Sequence, residues 1–191
     1  ESHWLEADAP VVYGFNTGVG PLKNLRISPE DNDRFQRNLM ISHAADIGDP
    51  APEEVVRATM LTRANSLAKG VSGVRPQVVE RLIAMLNQGV HPLIPQQGSV
   101  GASGDLGPMA HVAVCLIGLP EAEAHYQGRL VPAPEALARA GLGAEEFALK
   151  GKEGLAIING CSFALGYGAL ALYDAWRALH GANLACALSM E

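Results

Sequence analysis

The run Gly98-Ser99-Val100-Gly101-Ala102-Ser103-Gly104-Asp105 constrains this chain more than any other stretch. Gly104 has no Cβ, so its backbone nitrogen can approach the carbonyl carbon of Ala102 more closely than a larger residue would allow. The Ala102-Ser103-Gly104 segment can therefore cyclise. Loss of water from the ring and from the Ser103 side chain then leaves a 4-methylideneimidazol-5-one, an electron-poor alkene that ordinary side chains cannot supply.

The same residues are also compatible with two ordinary structures. One is a tight turn that begins a helix at Gly104 or Asp105, with an apolar body from Leu106 to Ile117. The other is a phosphate-binding loop before a helix. The glycine spacing does not match the G-x-G-x-x-G fingerprint, no P-loop lysine follows, and the segment His91 to Pro95 is a poor strand. These facts disfavour the phosphate-binding loop.

Four motifs occur in a fixed order along the chain. They are Tyr13-Gly14-Phe15-Asn16-Thr17-Gly18-Val19-Gly20, Asn38-Leu39-Met40-Ile41-Ser42-His43-Ala44-Ala45, Gly98 to His111, and Lys152-Glu153-Gly154-Leu155-Ala156-Ile157-Ile158-Asn159-Gly160. Together they resemble the aromatic amino-acid ammonia-lyase family, and its histidine-specific branch most. The resemblance extends from Tyr13 to the last residue, and four ordered motifs are more specific than any single one.

The resemblance implies an all-α fold of the aspartase and fumarase type, with irregular Gly-rich loops and a small hairpin. It also implies that the 4-methylideneimidazol-5-one forms autocatalytically from Ala102, Ser103 and Gly104, and that no metal takes part. Asp105 lies beside the tripeptide. It either handles protons during dehydration or caps the next helix, and both roles are compatible.

The resemblance assigns roles to further positions. Tyr13 matches the family's general base, while Gly20 and Leu106 match positions that border the substrate. Asn159 matches a ligand of the prosthetic group or of the substrate carboxylate. Taken without the motifs, Tyr13 is an ordinary aromatic residue in a Gly-rich loop, and Asn159 is a polar residue inside an apolar helix that needs a hydrogen-bond partner.

The pair Ser42-His43 carries the substrate prediction. In the family this pair marks the histidine-specific enzymes, and a neutral imidazole can form a hydrogen bond with an imidazole substrate. We therefore expect elimination of ammonia from L-histidine to give urocanate, a step of histidine catabolism. The sequence Cys161-Ser162-Phe163 departs from the usual Thr-Gln of this branch. A tyrosine or phenylalanine ammonia-lyase, an aromatic 2,3-aminomutase and a catalytically silent helical member thus remain alternatives.

The composition indicates a soluble cytoplasmic protein. The 191 residues are 48% hydrophobic with a net charge of −6, which argues against nucleic-acid binding. Cys115, Cys161 and Cys186 are far apart in apolar surroundings and predict core residues rather than a disulfide or zinc site. The apolar stretch from Leu155 to Tyr173 is long enough to cross a bilayer, but polar and glycine residues favour a buried helix.

Capping signals predict most of the helices. Ser28-Pro29 begins a helix that runs to about Ala45, and Pro52 begins one that ends at Lys69-Gly70. Further helices are predicted over 76–88, from Asp105 to Gly118, and near 134–140. Gly128 predicts a hairpin, and a single long apolar helix is predicted from about Gly154 to Leu179.

We expect one domain over residues 1–191, since no linker or internal repeat occurs. The chain stops in a helical pattern without a capping residue, so we expect it to be a fragment of a longer lyase chain. The family resemblance implies a homotetramer for the full-length protein, with active sites shared between subunits, and a small-molecule amino acid as substrate. The 191-residue chain alone is expected to be inactive.

Overall fold

A computed structural model describes residues 9–101, 103–143 and 147–191. The seven described α-helices are α1 (Pro29–His43), α2 (Glu53–Leu67), α3 (Pro76–Gln88), α4 (Leu106–Ile117), α5 (Ala133–Arg139), α6 (Glu153–Ile158) and α7 (Ser162–Met190). A short 3₁₀ helix, Gly20–Leu22, precedes them. The predicted all-α architecture is confirmed.

Short strands join the helices into two small sheets. The strands are β1 (Ile47–Pro50), β2 (His91–Pro92), β3 (Pro95–Gln97), β4 (Glu123–Tyr126) and β5 (Arg129–Pro132). Strands β1 and β3 form an antiparallel pair, and β2, β4 and β5 form a three-stranded antiparallel sheet in that order. The segment His91 to Pro95 was predicted to be a poor strand, yet its His91 and Pro92 pair with the edge of the hairpin.

The helix ends follow the capping residues in the sequence. The Ser28 side chain accepts a hydrogen bond from the Asp31 backbone nitrogen at 3.2 Å, with Pro29 in the first position of α1. Gly89 and Gly118 end α3 and α4 in the left-handed conformation. The predicted boundaries of α3 and α4 are therefore confirmed, while α1 ends two residues earlier than expected.

Helix α4 is the centre of the hydrophobic core. Ten of its twelve residues are buried, and α1, α3, α5, α6 and the start of α7 pack around it. The core also includes large fully buried side chains from α1, α2 and α3, among them Met40, Met60, Leu82 and Met85. Cys115 belongs to this core, whereas Cys161 and Cys186 are exposed, so the core prediction was wrong for those two thiols.

The predicted single helix from Gly154 to Leu179 was wrong, because the chain breaks between α6 and α7. Asn159 caps α6 in an extended conformation, and α7 restarts at Ser162. Helix α7 packs through its first turns against α2, where Gly166 fits against Thr59. Residues 171–191 are exposed.

The stretch 153–190, which spans both helices, is the one described segment long and apolar enough to cross a membrane by length and composition. One third of its most apolar part is buried within the structure. A core helix of a soluble protein passes the same test, so the apolar composition alone does not decide between a bilayer and a protein interface.

Candidate functional site

The described part of the tripeptide loop is packed tightly at Gly104. Gly104 is buried and Ser103 is exposed. The φ angle of Gly104 is 121°, and a Cβ there would collide with the backbone nitrogen of Gly160 and lie 2.8 Å from its carbonyl oxygen. Only glycine fits this position. Ala102, the first residue of the predicted ring, lies outside the described residues.

Asp105 ties this loop to the start of α7. Its Oδ1 accepts a hydrogen bond from Ser99 Oγ at 2.7 Å, and its Oδ2 accepts one from the Ala164 backbone nitrogen at 2.9 Å. Its own backbone nitrogen donates to the Gly160 carbonyl at 3.0 Å. Asp105 occupies the N-cap position of α4 without a side-chain bond to that helix. The carboxyl group therefore caps α7 rather than α4.

Asn159 lies at the end of α6, not within a helix as the sequence indicated. Its backbone nitrogen and its Nδ2 both donate to the Leu155 carbonyl, at 3.1 and 3.0 Å. These two bonds orient the side-chain amide and leave its oxygen as an acceptor.

Arg63 belongs to the same region, although its sequence position did not lead us to expect this. Its side chain in α2 is buried, and its guanidinium group donates to the Ala156 carbonyl and, at 2.7 Å, to the Asn159 carbonyl. A Cβ at Gly160 would collide with the same guanidinium group. Burial lowers the pKa of Arg63. Arg63 thus supplies donors to carbonyl groups at the break between α6 and α7, where regular helix bonding stops.

Arg63 had a signal in the sequence. The buried residues of α2 recur at helical spacing, and Arg63 falls on the same face, three residues after Met60 and four after Thr59. A charged residue within an apolar stripe needs buried partners. The stripe could therefore have predicted a structural role for Arg63, although not the identity of its carbonyl partners.

Tyr13 lies in the loop before the 3₁₀ helix and is half exposed. Its hydroxyl oxygen accepts a hydrogen bond from the Gly20 backbone nitrogen at 3.0 Å. The loop is held by Asn16 and Thr17, which are both buried. The Asn16 side chain bonds the backbone of Val12, and the Thr17 hydroxyl accepts from the Gly14 nitrogen. The loop therefore has a fixed backbone and presents Tyr13 at its surface.

His43 is the last residue of α1. Its Nδ1 lies 2.8 Å from the Leu39 carbonyl oxygen and 3.1 Å from Ser42 Oγ. A carbonyl oxygen can only accept, so the hydrogen-bond network assigns the proton of the neutral ring to Nδ1. The Nε2 atom of His43 is then left as a hydrogen-bond acceptor.

A cavity of about 300 Å³ brings the predicted site residues together. Six of them line it: Tyr13, Gly20, His43, Ser103, Leu106 and Asn159. Apolar side chains, including Leu39 and Leu155, complete the wall. Four motifs that are distant in the sequence thus meet at one concave surface, which has the size and the few polar groups typical of a small-molecule site.

His111 belongs to the tripeptide motif but lies elsewhere. It lines a second cavity of about 290 Å³ between α1, α4 and the start of β4. Burial lowers the pKa of His111. Within the described ranges, no group of three or more His, Cys, Asp or Glu side chains has the arrangement to hold a metal ion.

Comparison with known proteins identifies relatives of this chain. The sequence profile of the family described as aromatic amino acid lyase matches residues 2–191. The histidine ammonia-lyase of Streptococcus gordonii is 54% identical over 181 residues, which are 95% of this chain and 34% of that protein. The histidine ammonia-lyase of Streptococcus pyogenes is 51% identical over 187 residues, 98% of this chain and 36% of that protein.

Solved structures give the same result for the fold. The phenylalanine aminomutase of Pantoea agglomerans has a TM-score of 0.81 at 38% identity, covering 92% of this chain and 33% of that chain. The histidine ammonia-lyase of Trypanosoma cruzi has a TM-score of 0.76 at 38% identity, covering 85% and 31% respectively. This chain therefore spans about a third of the length of the relatives it matches.

Proposed function

Because this chain belongs to the aromatic amino acid lyase family, we propose that its protein is a carbon-nitrogen lyase that eliminates ammonia from L-histidine to give urocanate. The observation that carries the proposal is the single cavity lined by Tyr13, His43, Ser103 and Asn159. Since the chain spans about a third of its relatives, the activity is proposed for the protein made from its complete reading frame.

The family is the class of lyases that depends on a 4-methylideneimidazol-5-one, and we propose that Ala102, Ser103 and Gly104 form it here. When present, this group supplies an electron-poor alkene, which makes the amine of the substrate easier to eliminate. The packing of Gly104 against Gly160 fits such a ring, because no side chain separates the two backbones. Asp105 holds the adjacent backbone and is a positioning residue for this segment.

Tyr13 is proposed as the general base that removes the β-proton of the substrate. The Gly20 nitrogen donates a hydrogen bond to the Tyr13 oxygen, which fixes the position of the phenol in the cavity. Gly20, as a residue without a side chain, leaves room for substrate beside the phenol. Leu106 contributes an apolar wall, and the Asn159 amide is proposed to bind the substrate carboxylate or the prosthetic group.

His43 supports L-histidine as the substrate. With its proton on Nδ1, the ring offers Nε2 as an acceptor to the N–H of a substrate imidazole. A phenyl ring has no donor for this nitrogen and would leave it unpaired, which disfavours phenylalanine.

We further propose that the protein is a cytoplasmic homotetramer and that it acts without nucleic acid or membrane partners. The outer part of α7 supports an assembly, because it exposes large apolar side chains that a monomer rarely leaves uncovered. They include Leu172, Tyr173, Trp176, Leu179, Leu184 and Leu188. Residues 1–191 would then be the part of each subunit that carries the reactive tripeptide.

Intact-mass measurement tests the prosthetic group. The peptide that contains Ala102-Ser103-Gly104 is expected to be lighter by two waters, and Ser103→Ala should abolish both the mass deficit and turnover. An unmodified tripeptide in a fully active preparation would contradict the mechanism. An unmodified tripeptide in a folded, inactive protein would instead identify a catalytically silent member of the family.

A competition assay tests the substrate. Urocanate, coumarate and cinnamate are followed together with L-histidine, L-tyrosine and L-phenylalanine in one mixture, and urocanate should dominate. His43→Leu should erode the preference, by up to about 10⁴-fold, since a polar pocket discriminates through its unpaired groups. The similarity to aminomutase structures makes a β-amino acid the alternative product, and amino-acid analysis of the same mixture would detect it.

A further inference from the structure

The Asp46 carboxyl group lies between the two ends of the tripeptide loop. A Cβ at Gly98, where the loop begins, would overlap Asp46 Oδ1 and lie 2.7 Å from its Cβ. A Cβ at Gly107, in the first turn of α4, would overlap the same Oδ1 and lie 2.7 Å from Oδ2. One carboxyl group therefore contacts both backbones, and a side chain at either glycine would displace it.

The position of Asp46 in the chain connects this contact to the rest of the cavity. Asp46 follows His43 by three residues and directly precedes β1, whose Ile47 pairs with Gln97. Gln97 is the residue before Gly98, so the β1–β3 pairing sets Asp46 beside the start of the loop. The carboxyl group thus links the segment that carries His43, the β1–β3 pair and the start of α4.

The environment of Asp46 is unfavourable for a carboxylate. Its Oδ2 is buried and makes no hydrogen bond within the described part of the chain. Burial raises the pKa of Asp46 to about 6. A buried carboxyl oxygen without a hydrogen-bond partner destabilises a fold, so a contribution to stability does not explain the position of Asp46 between Gly98 and Gly107.

Resting on the function proposed above, we propose that Asp46 is a positioning residue for ring formation, which holds both ends of the tripeptide loop at a fixed separation. In ring formation the Gly104 nitrogen bonds to the Ala102 carbonyl carbon, whose oxygen leaves as water with the hydrogens of the Gly104 and Ser103 amide nitrogens. Ser103 then loses its hydroxyl group and its α-hydrogen as a second water. Fixed loop ends favour the first step because they lower the entropy cost of bringing nitrogen and carbon together.

The rate of water loss tests this role. The protein from the complete reading frame is made in a cell-free reaction, and the two-water deficit is followed by mass spectrometry at a temperature where all variants are folded. Asp46→Ala should slow the loss at least about tenfold, as expected for misplaced reacting atoms. Asp46→Asn keeps the shape and should stay within about twofold of wild type. Asp49→Ala, an exposed acid in β1, is the matched control.

A complementary pair of variants keeps the test valid if Asp46→Ala folds poorly. Gly98→Ala should slow water loss because its methyl group displaces the carboxyl group. Since the carboxyl group is then already displaced, adding Asp46→Ala to Gly98→Ala should slow the loss by less than about twofold more. Wild-type rates in folded Asp46→Ala or Gly98→Ala, or effects of the two changes that simply multiply in the double variant, would overturn the role of Asp46. A wild-type protein that never loses two waters would overturn the proposed function instead.

Discussion

The two sides of the cavity are held in different ways. On one side, Gly104 and Asp105 are buried, and hydrogen bonds join them to Gly160 and to α7. Arg63 stabilises this side through hydrogen bonds to the Ala156 carbonyl in α6 and to the Asn159 carbonyl that follows it. On the other side, Tyr13 is half exposed and belongs to a loop that is held by its own backbone, by Asn16 and by a hydrogen bond from Asn32 of α1 to the Phe15 carbonyl.

The difference matches the role proposed for each side. Formation of the proposed ring requires two backbone atoms to be held in close contact, and this needs rigid, well-packed neighbours. Tyr13, the proposed general base, must be accessible to a substrate that enters and leaves, so a partly exposed loop suits this role. We therefore expect changes on the buried side to alter stability and ring formation together, and changes on the loop side to alter turnover alone.

Gly104→Ala should have the largest effect. The added methyl group collides with the Gly160 backbone, so we expect no two-water loss, no detectable turnover and a lower Tm. Gly101→Ala is the matched control, since Gly101 also has a positive φ of 65° but no atom within 4 Å of its Cβ position. The control should cost only about 1 kcal/mol from the backbone conformation. Equal behaviour of the two variants in mass spectrometry and thermal melts would contradict the prediction that the Gly104 side of the cavity is rigid.

Tyr13→Phe should lower turnover by at least about 10²-fold, the scale for losing a general base. The two-water deficit and the Tm should stay at wild-type values, because the Tyr13 side chain is half exposed and the loop backbone is held by other residues. Steady-state urocanate formation and intact mass on the same preparation measure both effects. A Tyr13→Phe protein that lacks the deficit would show that the loop side also takes part in ring formation.

Arg63→Met should destabilise the protein by about 1 to 3 kcal/mol, because the Ala156 and Asn159 carbonyls lose a buried donor. Turnover should also fall, since Asn159 loses one of its supports. Urea unfolding gives the free energy. Arg34→Met removes an exposed pair with Asp31 and should change stability by less than about 0.5 kcal/mol. An equally small change in the free energy of unfolding for Arg63→Met would mean that water replaces the hydrogen bonds of the Arg63 side chain.

Asp46→Asn should have the smallest effect. It should change how the stability of the folded chain depends on pH. The pKa of Asp46 is raised from 3.8 to about 6 in the folded state, so the folded chain holds a proton there that the unfolded chain releases. Stability from this group is therefore lost as pH rises from about 4 to 6. Asp46→Asn should raise the Tm at pH 8 and give no gain at pH 4.

Comparing Asp46→Asn with the wild-type protein separates the pH effect of Asp46 from that of two buried histidines. Burial lowers the pKa values of His91 and His111, so their contribution to stability falls as the pH decreases below about 6.5. The wild-type protein and Asp46→Asn both carry these histidines, so their effect cancels in the Tm difference between the two proteins. A Tm difference that does not change between pH 4 and pH 8 would contradict the burial of the Asp46 carboxyl group.

The sequence predicted helices best where capping residues mark their ends. Ser28-Pro29, Gly89 and Gly118 act locally, through the backbone conformation and hydrogen bonds of their own helix end. The hairpin around Gly128 was predictable for the same reason, since Gln127 and Gly128 both have positive φ angles. Such signals do not depend on what the rest of the chain does.

The features that the sequence did not predict depend on distant partners. The break after Asn159 requires the Arg63 side chain, 96 residues away in the sequence, and the apolar pattern on both sides of the break is continuous. Strands β1 and β3 are short and contain prolines, so their pairing follows from the packing of neighbouring helices rather than from strand propensity.

Which residues line the candidate site could be predicted only from the four ordered motifs. Tyr13, His43 and Asn159 are unremarkable residue types in their local sequence, and the structure brings them to one cavity with Ser103. Their proposed roles remain predictions. Asp46 could not be predicted because its partners, Gly98 and Gly107, have no side chains and therefore leave no pattern of apolar or charged residues.

The length of α7 has a consequence for how this chain behaves in dilute solution. Its 29 residues make a rod of about 44 Å, of which residues 171–190, about 30 Å, are exposed along their whole length. The rod therefore projects beyond the body. Two such rods can align along their exposed apolar side chains without any part of either chain unfolding, so self-association of the 191-residue chain should increase with concentration.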